Sequence, residues 1–143
     1  MHDPAVVWRL AADGTLEDAQ LIDLPRASYI HDFTATDRHL LIVLQPWVRT
    51  RRVMPLVDGF DWVADEAAQV LVLDKADLSA QRLYELPAFG FFHLGDAWAE
   101  PDGTLRFDVC AHEDMTFAAR GAREILNGVS IGAAPARLAL AAL

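Results

Sequence analysis

Two stretches of this chain repeat one another 62 residues apart, and each carries one histidine. The first is Ser28-Tyr29-Ile30-His31-Asp32-Phe33-Thr34-Ala35-Thr36, and the second is Gly90-Phe91-Phe92-His93-Leu94-Gly95-Asp96-Ala97-Trp98. The same offset relates Leu24-Pro25 to Leu86-Pro87, Leu16 to Leu78, Leu21 to Leu83 and Ala35 to Ala97, and the register runs without a gap from about residue 8 to residue 38. A period of this size with strand-like units inside it marks a repeated β architecture such as a propeller. The repeat returns a histidine to the equivalent place each time.

The strands follow from local pattern. Val6–Leu10, Ala19–Leu24, Tyr29–Thr36, His39–Leu44, Gln69–Leu73, Ala80–Leu86, Phe91–Trp98 and Thr104–Ala111 are rich in β-branched, aromatic and apolar residues. Asp13-Gly14, Asp37-Arg38 and Pro101-Asp102-Gly103 turn the chain, and Pro25, Pro46 and Pro87 stop strands. The pattern predicts an all-β chain of 143 residues in one unit, 1–143. With the histidine strands innermost, one full blade runs from about 27 to 86, flanked by partial blades. The chain then holds about two blades' worth of strands, and closed rings have about 4–8. It reads as a single partial propeller segment.

Three stretches stand outside the repeat. Trp47 to Ala67 is a long connection in which Arg49, Arg51 and Arg52 interleave with Trp47, Val48, Val53 and Met54. Thr116 to Leu126 has the makings of a short helix. The Ala/Leu-rich tail from Ala133 to Leu143 fits strand or helix equally well.

Composition narrows the function. A net charge of −9 argues against nucleic acid, which needs a basic stripe. The single cysteine, Cys110, excludes an internal disulfide and reads as a buried small apolar residue. With no leader-like segment, the cytoplasm is the expected compartment.

Neutral imidazole suits iron, zinc and copper. Equivalent histidines of adjacent blades, His31 and His93, would converge on one ion at the propeller axis. The alternative makes both core histidines, bonded to backbone carbonyls. His2, His39 and His112 do not recur with the repeat; His2 is expected to be disordered at the terminus, and His39 and His112 to lie at the surface. Asp32 and Asp96 neighbour the histidines but project to the other side of their strands. Ser28 and Ser130 lack the setting of a nucleophile, and Glu113-Asp114 reads as a surface carboxylate pair.

At these residues the chain resembles a known family. Ile30-His31-Asp32-Phe33-Thr34-Ala35-Thr36 is similar to the "iHDFaiT" segment of the carotenoid cleavage oxygenases. Phe91-Phe92-His93-Leu94-Gly95-Asp96-Ala97-Trp98 is similar to their "fFHfaNAwE" segment, and Phe60-Asp61-Trp62 to the "F-x-W" between the two. The family includes carotenoid, apocarotenoid and lignostilbene dioxygenases and the retinal pigment epithelium isomerase. The resemblance covers about residues 5 to 112. It implies a seven-bladed β-propeller with Fe(II) on its axis, held by four histidines, of which His31 and His93 carry over. Phe33 and Phe92, next to those ligands, would line an apolar tunnel.

The implied activity is oxidative cleavage of a conjugated C=C bond of a carotenoid, apocarotenoid or stilbene by O2. The implied partners are an apolar small molecule and O2, with a peripheral membrane contact through the 46–67 connection. The family's other two histidines and its ligand-orienting glutamates have no counterpart here. Asp96 stands where the family has Asn and Ala99 where it has Glu, with Glu100 retained. Pro135-Ala136-Arg137-Leu138 is similar to the start of a further family strand. The expectation is therefore a truncated product or excised fragment that self-associates. The competing expectation is a non-catalytic β-repeat interaction module, or an inactive truncated member, that uses the 46–67 aromatics as its contact surface.

Overall fold

Continuous apolar runs form strands when both faces of a sheet are covered. His39–Leu44 and Ala68–Asp74 are such runs, and in the computed structural model, which describes residues 4–129 and 136–143, they lie side by side at the centre of a four-stranded antiparallel sheet. Before them come β1 (Pro4–Leu10), β2 (Leu16–Asp23) and β3 (Thr34–Ala35). His39–Leu44 is β4, followed by β5 (Trp47–Arg49), a single 3-10 turn (Leu56–Gly59), β6 (Phe60–Trp62) and Ala68–Asp74 as β7. Then come β8 (Asp77–Leu86), β9 (Gly90–Ala99), β10 (Leu105–His112), α1 (Thr116–Leu126) and β11 (Ala136–Ala142).

The sheets are β1-β2, β3-β4-β7-β8, β5-β6 and β11-β10-β9, all antiparallel. The middle sheet has the strand order read from the sequence, with the His31 segment leading into its edge strand. α1 occupies the residues expected of a helix, and the tail resolves as a strand because Ala136–Ala142 pairs along β10. Among the described residues no helix is long and apolar enough to cross a membrane.

Two cores flank the middle sheet. Leu41, Val43, Val70 and Val72 face Phe89, Phe91, Leu105, Phe107, Val109 and Ala111 of the β9–β10 side. Ile42, Leu44, Leu71 and Leu73 face Ile22 and Leu24 of the β2 side. Each buried side chain of this size contributes about 1.5–3 kcal/mol. Sheets stacked face to face in this way are the arrangement of propeller blades; no ring is closed among the described residues.

Several expectations change. Tyr29–Thr36 is a strand only at Thr34–Ala35. Residues 27–29 turn toward β5 instead: Ser28 bridges Val48, and the Tyr29 N–H donates to the Trp47 carbonyl at 2.8 Å. The repeat is not gap-free either. Five residues, 11–15, join β1 to β2, while two, 75–76, join β7 to β8. Trp8 therefore opposes Ala19, whereas Val70, 62 positions on, opposes Tyr84 and not Gln81, a pairing displaced by three residues from the constant offset. Cys110 is exposed, because β10 buries Leu105, Phe107, Val109 and Ala111 and the cysteine stands on the alternate face. His2 and Ser130 lie outside the described residues.

The 46–67 connection is built, not loose. Trp47 is 2% exposed and packs on Tyr29 at 4.5 Å and Phe60 at 5.7 Å, so it is part of the interior and not a membrane-facing residue. Val53, Met54 and Leu56 at the tip remain exposed beside Arg51 and Arg52.

His39 is half-buried at the start of β4. Burial, then the neighbouring Arg38, hold its imidazole below the ordinary histidine value, with Asp74 opposing them. A base held below its unfolded value binds its proton less readily in the fold, so stability rises with pH through this group. The contribution is present above about pH 6.5 and lost as pH falls below it. The urea midpoint should therefore drop between pH 7.5 and pH 5.5, and drop less in His39→Gln. An equal drop in both proteins would assign the acid sensitivity elsewhere.

Candidate metal centre

His31 and His93 reach the same space from two different sheets. His93 stands on β9. His31 stands in the extended segment just before β3, the edge strand of the middle sheet. Their ring centres are 5.3 Å apart with planes at 80°. An imidazole bound at about 2.0–2.2 Å places its ring centre about 3 Å from the ion, so two rings on one ion lie within about 6.5 Å of each other. The observed separation falls inside that limit, and both rings are exposed rather than packed in the core. Among the described residues no third His, Cys, Asp or Glu completes a cluster with them. The pair thus offers two imidazole nitrogen donors, a set that suits iron as well as zinc or copper.

An aromatic wall backs the pair. Phe92 meets His31 edge-on at 5.4 Å, and Tyr29 stacks near it at 6.2 Å and 11°. The wall continues from Tyr29 to Phe60 and from Phe92 to Phe117, whose ring lies 4.7 Å from that of His112. Phe92 thus stands beside a histidine, while Phe33 is 62% exposed with no ring contact to this group among the described residues. His112 is half-buried, not exposed, because α1 brings Phe117 onto it.

Side chains, not strand pairing, join the two histidine segments. The Asp32 carboxylate accepts the Leu94 N–H at 2.9 Å through one oxygen and the Phe33 N–H at 2.9 Å through the other. The Thr34 hydroxyl donates to the Gly95 carbonyl at 2.8 Å. Fully buried Gln45 reaches backbone of both segments. Asp32 turns its carboxylate onto β9, and its task is to hold that strand. Gln45 was not singled out by the sequence, although a lone amide at the end of the apolar run Leu40–Leu44 was a visible signal. Phe60 stands out in the sequence as one of the connection's apolar residues and in the F-x-W resemblance, and its contact with Tyr29 joins it to this wall.

Comparison with known proteins gives the chain its family. The family described as retinal pigment epithelial membrane protein matches residues 2–132, most of the chain. The chain belongs to the carotenoid cleavage oxygenase family. A member from Oryza sativa subsp. japonica, a chloroplastic 9-cis-epoxycarotenoid dioxygenase, is 29% identical over 101 residues, covering 67% of this chain and 17% of that protein. The carotenoid 9,10(9',10')-cleavage dioxygenase of Crocus sativus is 30% identical over 104 residues, covering 69% of this chain and 19% of its own length.

Among solved structures, the cobalt-substituted Synechocystis apocarotenoid oxygenase superposes with a TM-score of 0.65 at 17% identity over 76% of this chain and 23% of that one. The Pseudomonas brassicacearum lignostilbene dioxygenase superposes at 0.58 with 25% identity, covering 74% and 22%. The fold is therefore part of a β-propeller, and this family member spans about a fifth of the curated relatives it matches. Those relatives are, by name, dioxygenases.

Proposed function

We propose that His31 and His93 supply two of the imidazole ligands of a non-haem Fe(II) centre in a dioxygenase that cleaves a conjugated C=C bond of a carotenoid, apocarotenoid or stilbene. The observation that carries this reading is the 5.3 Å approach of two exposed rings, one on β9 and one in the segment that leads into β3. The chemistry that Fe(II) supplies when bound is activation of O2, whose atoms end in the two carbonyl groups made from the double bond. The chain's own part is positional. His31 and His93 each present one ring nitrogen as donor, and Asp32 and Thr34 hold the two backbones together. Phe92, Tyr29 and Phe117 offer apolar ring surface suited to a conjugated substrate and poor in water.

Anaerobic titration of the purified chain with Fe(II) tests the metal assignment. His31→Ala and His93→Ala should each weaken binding by at least about tenfold, and His39→Ala should leave it unchanged. Equal binding by the unaltered chain and both site variants would discard the assignment.

A further inference from the structure

We propose that Gln45 is the positioning residue that sets the distance between His31 and His93, an inference that deepens the reading of those rings as a metal pair. Gln45 ends β4's apolar run and is 0% exposed. Its side-chain Nε2 donates to the Tyr29 carbonyl at 3.1 Å and to the Phe91 carbonyl at 3.1 Å, and its Oε1 accepts the Phe91 N–H at 3.0 Å. Tyr29 lies two residues before His31, and Phe91 two residues before His93. One carboxamide therefore grips the equivalent carbonyl of each repeat unit, at equal distance along the chain from each imidazole.

Both amide hydrogens and the amide oxygen are engaged, so the group has no freedom to pivot. Toward β9 it acts as a strand peptide would, exchanging donor and acceptor with one residue. Across the gap it holds a backbone that forms no ladder with β9. The Ser28 hydroxyl, donating to Gln45's own carbonyl at 2.6 Å, fixes the clamp's base. An apolar side chain of the same size would leave the Tyr29 carbonyl and both polar groups of Phe91 without these partners in a dry interior, and the segments would shift to find others.

The test uses the full chain, Co(II) as probe, and the ring-proton NMR signals of His31, which feels the ring currents of Tyr29 and Phe92, and of His93, which feels that of His31. Gln45→Met is compared with Val43→Ala, a core variant without polar contacts, at matched stability. In Gln45→Met both histidine signals should move and Co(II) affinity should fall by at least about tenfold. Val43→Ala should leave the signals in place and the affinity within twofold. Unmoved signals and an unchanged affinity in folded Gln45→Met would overturn the proposal.

His31→Ala and His93→Ala separate the two ideas. If they bind Co(II) like the unaltered chain, the metal reading falls and the ring signals alone judge Gln45. Should Gln45→Met not fold, side-chain amide exchange in the unaltered protein decides. The Gln45 NH2 should exchange at least about tenfold more slowly than that of exposed Gln81, and equal rates would refute the clamp.

Discussion

Alanine at His31 or at His93 is expected to eliminate cleavage when this chain replaces the matching segment of the Synechocystis apocarotenoid oxygenase. The graft is geometrically reasonable because 76% of the chain superposes on that structure. In it, the rings at 5.3 Å would stand where further donors can join them. Loss of a group that only orients a ligand costs about 10–100-fold, so loss of a ligand should exceed the upper end of that range. Assay of apocarotenoid turnover at saturating iron reads the effect, with the unaltered graft as reference. The isolated 143-residue chain should show no turnover, since two imidazoles leave most coordination positions to water. An active His93→Ala graft, or brisk iron-dependent turnover by the isolated chain, would refute the ligand assignment or the need for further donors.

Trp47→Ala should be the most damaging single substitution in the 46–67 connection, costing about 3–5 kcal/mol. The indole is 2% exposed and bears on Tyr29 and Phe60, so its removal opens a void between β5 and the segment leading to His31. Domains of this size have about 5–15 kcal/mol in total, and much of that would be lost. Trp47→Phe, which refills part of the space, should cost less than half as much. Urea unfolding followed by circular dichroism measures both. Wild-type stability in Trp47→Ala would show that the side chain is held at a surface.

The blade order was legible because it depends on covered faces. β4 and β7 are buried on both sides and read as unbroken apolar runs, while β10 alternates and shows one buried face. The histidine pair was legible through the repeat. What escaped were features that hinge on which neighbour wins. Tyr29 has strand composition but gives its backbone to β5, and nothing local says so. Cys110 shares β10 with Phe107 and Val109, yet the count of two puts it on the other face. Turn length was hidden too, because side-chain matches survive where five residues replace two. The role of Gln45 escaped for a different reason: an amide ending an apolar run stands out, but its partners are two carbonyls 16 and 46 positions away.

The seam between the histidine segments rests on Asp32, Thr34 and Gln45 rather than on a ladder of peptide groups. A ladder is indifferent to sequence; a seam of three side chains is written in three codons. Substitution at any one of them alters how the rings meet while both sheets keep their pairing and their cores. The spacing of the histidine pair is thereby open to gradual inherited adjustment, residue by residue, in a scaffold that need not be rebuilt each time.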